Sequence, residues 1–161
     1  MFAYSISAAH LNLPHQPIES LMISATHIGI EGWKWIDDIP LDNVCSYDSS
    51  TTNLPYVFHY CQRYIIKDIL FAKRKPKLHK FFTCESPLFK EVDFDDVKHL
   101  DYKMKQENTG VIEEKMSPQV AKREIFSVCY ILSLMNEAST FFKNNHCSDK
   151  ANYDKLLTLW E

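Results

Sequence analysis

The stretch Ser117–Asn145, SPQVAKREIFSVCYILSLMNEASTFFKNN, decides what kind of fold this chain can build. Ser117 followed by Pro118 predicts a helix start, with serine as N-cap and proline at the first helical position, where its missing N–H costs nothing. Ala121, Ile125, Val128, Leu132 and Met135 then recur at spacings of four and three, the core stripe of a long helix. Phe126, Tyr130, Ile131 and Leu134 widen that stripe until most of the middle must be buried. Asn136 and Glu137 interrupt it. Unpaired burial would cost roughly 1–3 kcal/mol each, so they reach solvent or meet a ligand or neighbouring backbone, and a structural hydrogen-bonding role is expected. Asn144 and Asn145 are read as the helix end, and Ser148 as the cap of a second short helix carrying Leu156, Leu157 and Trp160.

Working outward, the rest of the chain offers few elements to cover such a helix. Residues 1–13 suit a short amphipathic or buried helix stopped by Pro14. Ile18–Ser24 fits a strand, and Leu54–Cys61, aromatic and β-branched after a proline, is the clearest strand. Between them IGIEGWKWIDDIP (28–40) reads as extended, with both tryptophans on one side, and residues 42–53 as a polar loop. From Gln62 to Lys115 the chain is charged and irregular, and residues 92–116 form an exposed connection. The expected architecture is mixed α/β: a strand-containing region over 1–91, that connection, and a helical region over 117–161. A long apolar helix with so few covering elements implies a further layer.

Bulk composition narrows the function classes. At 161 residues one domain with a real core is expected, and 45% apolar with 24% charged residues is globular composition. Only 3 glycines argue against a complete βαβ nucleotide-binding domain, whose tight turns use several. A net charge of -3 gives no global attraction to nucleic acid, so the basic run KRKPKLHK (73–80) is a local feature. No uninterrupted run of 18 apolar residues occurs, so no membrane segment is expected, and MFAYSISAAHLNLPH (1–15) lacks the charged start of a signal peptide. The 5 cysteines include no CxxC pair and match no zinc spacing; an odd number leaves at least one free thiol.

Two adjoining stretches carry a resemblance: LPYVFHYCQRY (54–64) and FAKRKPKLHKFFTCESPLFKEV (71–92). MFAYSISAAHLNLPH (1–15), EGWKWID (31–37) and SVCYILSLMNEASTFFKNN (127–145) agree with it in order and approximate spacing. Together they resemble the C-terminal region of hydroxyproline O-arabinosyltransferase-like proteins, relatives of the peptidyl serine galactosyltransferases. The resemblance runs from Met1 to about Asn145, outside the loop Val92–Met116. It implies retaining transfer of an arabinofuranose or galactose-type sugar from a nucleotide sugar, such as a UDP-sugar, to hydroxyproline or serine hydroxyls of a protein acceptor. It also implies Mn²⁺ or another divalent cation, a glycosyltransferase A-like fold and a Golgi, secretory-pathway location. The membrane anchor and the nucleotide-binding half with its Asp-x-Asp motif belong upstream in such enzymes, so this chain is expected to be a partial domain.

Residue by residue, the resemblance makes His59 the candidate metal ligand, since neutral imidazole binds Mn²⁺ beside carboxylate and phosphate oxygens. Arg63, Lys73 and Lys75 become candidate contacts to the donor diphosphate, whose charge grows as it leaves. Arg63 has the forked guanidinium for it. Phe71-Ala72-Lys73 stands where the family has aromatic-Gly-Lys. A solvated basic loop is the plain alternative. Glu31, Trp33 and Trp35 are candidate acceptor contacts, and Asp37 and Asp38 candidate catalytic carboxylates for an oxocarbenium-like transition state. The alternative for this cluster is tryptophans in the core and aspartates capping a turn. Asp93-Phe94-Asp95 is formally Asp-x-Asp, but lies in a charged linker and is discounted. The rival to an enzyme is a non-catalytic glycopeptide-binding or assembly module.

Overall fold

The structure is a computed structural model that describes residues 2–14, 21–27, 32–46, 54–59, 64–66, 69–71, 81–92, 103–104, 114–147 and 150–157. It is mixed, with several short strands and one long helix. In chain order come α1 (Phe2–His10), β1 (Met22–Ile23), α2 (Trp33–Asp37), a 3-10 turn (Leu41–Asn43) and β2 (Val57–Phe58). Then follow β3 (Tyr64–Ile66), β4 (Ile69–Phe71), β5 (Leu88–Phe89), β6 (Lys103–Met104), β7 (Glu114–Lys115), α3 (Pro118–His146) and β8 (Lys155–Leu157). Among the described residues the strands form four separate pairs: β1 with β2 and β5 with β8 parallel, β3 with β4 and β6 with β7 antiparallel.

The helix α3 begins as its sequence dictates, with Ser117 Oγ accepting from the Val120 amide at 3.3 Å and Pro118 in the first turn. Its inner face is one continuous line at spacings of three and four. Ala121, Ile125, Val128 and Leu132 start it, and Asn136, Ser139 and Lys143 continue it, all buried. The first half meets Trp33, Ile36, Val44 and Ile23 in the hydrophobic core. The second half faces the segment 81–92, where Phe81 and Phe89 stack at 4.4 Å. That segment is mostly irregular, so its backbone polar groups need partners, and the polar half of the line supplies them. Asn136 takes the Phe89 amide on Oδ1 at 2.8 Å and donates Nδ2 to the Phe89 carbonyl at 2.9 Å. Its role is the structural one expected, while Glu137 reaches solvent. The Lys143 ammonium donates to the carbonyls of Cys84 (3.3 Å), Ser86 and Asn152 (2.5 Å), using all its protons.

Several expectations are corrected. The helix α1 ends at His10 through Asn12 rather than Pro14. Asn12 adopts a positive φ of 51°, which asparagine tolerates. The amides of Leu13 and Asn12 then close back on the carbonyls of Ala8 and Ala9, a Schellman arrangement. Among the helix residues with described side chains, Ala8 is buried and Ile6 is 68% exposed. The strand expected over 18–24 is Met22–Ile23, and that over 54–61 is Val57–Phe58, with Tyr56 and Val57 exposed. Residues 33–37 are helical, so at 100° per residue Trp33 and Trp35 face apart. The region 62–115 contains β3, β4, β5 and β6, and the connection 92–116 carries the β6–β7 pair.

Where a second helix is expected to carry Leu156 and Leu157, the chain forms strand β8, paired in parallel with β5, while Ser148 and Trp160 lie outside the described residues. Pairing of Lys155 with Leu88 and of Leu157 with Phe89, a non-local event, overrides the local helical pattern there. By length and composition α3 is the one helix among the described residues that could cross a membrane. Here it is the core helix, and its buried Arg123, Glu124 and Lys143 all bond to groups of this chain.

Two disulfides close the fold: Cys45–Cys129 ties the turn after α2 to mid-α3, and Cys84–Cys147 ties the 81–86 segment to its end. Cys61 lies outside the described residues.

Candidate functional site

Two places bear on the expected site residues. The first is the β1–β2 edge. The Val57 amide donates to Leu21 O at 2.9 Å and the His59 amide to Ile23 O at 2.8 Å, so the backbone of His59 is held just past the carboxyl end of β2. Ser24, Ala25 and Thr26, buried, follow the carboxyl end of the parallel neighbour β1, and the exposed His27 comes next. The His59 side chain is exposed. A parallel pair directs both chain ends to one edge, the edge at which open α/β sheets bind ligands.

The second place is the junction of α2 with the first turns of α3. Arg123 Nε donates to Asp37 Oδ1 at 2.9 Å, and its Nη2 donates to Oδ2 at 2.6 Å. Gln119 Nε2 adds a third bond to Oδ2 at 2.7 Å, and Lys122 Nζ donates to the Asp37 carbonyl at 2.5 Å. The third arm of Arg123, Nη1, reaches Thr26 O at 2.8 Å, and Thr26 Oγ1 donates to the buried Glu124 carboxylate at 2.6 Å. The guanidinium also lies 5.4 Å over the Trp33 ring, whose Nε1 donates to Ala25 O at 3.0 Å. Burial pushes the Asp37 carboxyl upward. The hydrogen bonds from Arg123 and Gln119, with the charges of Arg123 and Lys122, outweigh it and hold the group below its ordinary 3.8. Burial likewise holds the Lys122 ammonium below its ordinary range, against the opposing pull of Asp37 and Asp38.

These contacts change the meaning of the aromatic-acidic cluster. Trp33, expected to meet an acceptor, is 0% exposed and belongs to the core. Trp35 is half-buried on another side of α2. Asp37, expected as a catalytic carboxylate, has both oxygens engaged by Arg123 and Gln119 and serves as the anchor of α3. Asp38 is exposed and closes α2, its amide bonding to Lys34 O at 3.2 Å. The structure therefore brings Trp33 and Asp37 together through Arg123, not around an open site. Glu31, Arg63, Lys73 and Lys75 lie outside the described residues, as does Asp93-Phe94-Asp95.

Arg123, Glu124, Gln119 and Thr26 were not among the expected site residues. The KRE run at 122–124 was a legible signal, since its charges fall within a helix whose stripe is otherwise buried. Among the described residues no three His, Cys, Asp or Glu side chains are grouped to hold a metal ion. His59 fits a divalent cation as one ligand of a set, and the described residues do not supply the rest. No family model, no curated protein and no solved structure matches this chain.

Proposed function

We propose that this chain is the acceptor-side part of a glycosyltransferase A-like enzyme resembling the hydroxyproline O-arabinosyltransferases and peptidyl serine galactosyltransferases. It would act in transfer from a UDP-sugar to a hydroxyl of a secreted protein. One observation carries the reading: the exposed imidazole of His59 at the carboxyl end of a parallel strand pair, its backbone fixed by Ile23. A side chain placed there can complete a metal site whose other ligands come from outside the described residues. Bound Mn²⁺ would neutralise charge on the leaving diphosphate. Arg63, Lys73 and Lys75 remain the proposed diphosphate contacts on the strength of the resemblance. The two disulfides support assignment to an oxidising, Golgi-type secretory compartment.

A second reading has its own support. Because Asp37 is saturated by Arg123 and Gln119 and Trp33 is buried, the acidic-aromatic cluster has no free carboxylate at Asp37 for chemistry. That favours a non-catalytic glycopeptide-binding or assembly module built from the same domain.

One calorimetric series separates the two. The purified chain is melted with and without Mn²⁺ and UDP-sugar, as wild type and as His59→Ala. The enzyme reading expects a rise in Tm that depends on the metal and is lost in the variant. No rise, with binding of a glycosylated peptide retained, supports the module; a rise unchanged in His59→Ala removes His59 from the site.

A further inference from the structure

Lys143 is 0% exposed, and its ammonium rests on backbone oxygen. It donates to the carbonyls of Cys84 at 3.3 Å, Asn152 at 2.5 Å and Ser86, while the Tyr153 ring lies 5.9 Å from the nitrogen. These oxygens are gathered by bonds in which Lys143 takes no part. The Asn152 amide donates to the Cys84 carbonyl at 2.8 Å, and Asn152 Nδ2 to the Glu85 carbonyl at 3.2 Å. Within residues 83–86 the Ser86 amide donates to Thr83 Oγ1 at 3.1 Å, and the two hydroxyls share a bond of 2.8 Å. Cys84–Cys147 pins that turn to the end of α3, and Tyr153 Oη donates to Asn144 Oδ1 at 2.7 Å. The cradle is therefore built by backbone bonds, a disulfide and small polar side chains, and it aims three carbonyl dipoles at one point. Such a site suits a singly charged ion with three N–H donors. A guanidinium is a planar fork and cannot turn its donors to three converging oxygens, and a divalent ion calls for more oxygens, carboxylates among them. Burial works against the charge at Lys143, and the exposed Glu85 works for it.

We propose that the carbonyls of Cys84, Ser86 and Asn152 form a cation-binding site of the ammonium class, occupied from within by Lys143 and able to take a free primary alkylammonium ion when that side chain is shortened. Lys143→Ala removes Cγ, Cδ, Cε and Nζ. Ethylammonium puts back the nitrogen and two carbons, with clearance from the new methyl group, and its three N–H groups meet the three oxygens. Tetramethylammonium carries the same charge with no N–H, so the cradle has nothing to offer it beyond electrostatics. The site does here what a structural metal does in other small folds: it joins the segment leading into β8 to the long helix through a cation. Because that cation is part of the chain, no chelator removes it.

The test melts wild type, Lys143→Ala and Lys143→Met in rising ethylammonium chloride, with tetramethylammonium chloride at equal ionic strength as the control. Ethylammonium should raise the Tm of Lys143→Ala saturably, by roughly 3–6 °C at tenfold its Kd, and should slow amide exchange at Asn152 in that variant. Wild type and Lys143→Met keep a side chain in the cradle and should respond to the two salts alike. If Lys143→Ala does not fold alone, it is refolded with each salt, and recovery of folded protein in ethylammonium but not in tetramethylammonium replaces the Tm rise. Equal responses of Lys143→Ala to both salts, a rise of the same size in Lys143→Met, or no saturable gain in Lys143→Ala by either route would overturn the proposal.

Discussion

Arg123 grips Asp37 with two parallel N–H···O bonds across 86 residues of sequence, and so joins the long helix to the short helix α2. The pair is largely buried, with side-chain exposures of 6% for Arg123 and 21% for Asp37. Removing the arginine leaves a carboxylate without its main partner and a Thr26 carbonyl without its donor. Arg123→Leu should cost about 2–3 kcal/mol, somewhat less than breaking a fully buried pair because water reaches Asp37. Urea unfolding of the variant against wild type measures it, and a loss below half of that would mean the pair is mainly solvated.

The same carboxylate sets an acid limit. Its folded pKa lies below 3.8 because bonds and charges from Arg123, Gln119 and Lys122 outweigh burial. A lowered acid pKa contributes stability that is present above 3.8 and lost as pH falls through the folded value. Urea midpoints should therefore decline as pH falls below about 3.8, and Asp37→Asn should flatten that decline. Equal slopes in the two proteins would assign the acid sensitivity elsewhere.

Asn136 pairs with both backbone groups of Phe89 as a neighbouring strand would. In Asn136→Leu the helix keeps its shape, yet a buried N–H and C=O lose their partners, a cost of about 2–4 kcal/mol. Glu137→Ala, one residue on and exposed, should change stability by less than about 0.5 kcal/mol. The contrast between adjacent positions is the informative measurement.

Trp33 and Trp35 give a second contrast. Trp33→Ala should destabilise by about 3–5 kcal/mol, because it empties the core beneath Arg123. Trp35→Ala should cost less than half as much. A glycopeptide-binding defect that appears in the second variant without loss of Tm would mark Trp35 as the acceptor contact.

Cys45–Cys129 spans a sequence separation of 84, and its loss should cost about 2–5 kcal/mol through the loop it closes in the unfolded chain. Cys45→Ala/Cys129→Ala, followed by thermal melting, measures it.

What the sequence determined by itself is the long helix. Ser117, Pro118 and the apolar stripe from Ala121 to Leu132 are local signals, and local periodicity survives into the structure because one burial face suffices to express it. Asn136 was also legible as a structural residue, since a buried amide must find partners. Tertiary structure decided the rest. The strands are two or three residues long, too short to show a period of two, and β8 forms only because β5 lies beside it. The helical turn at 33–37 sent Trp33 and Trp35 apart, and Arg123 turned Asp37 from a candidate for chemistry into an anchor. A carboxylate's availability depends on which donors reach it, and those donors arrive from the far end of the chain.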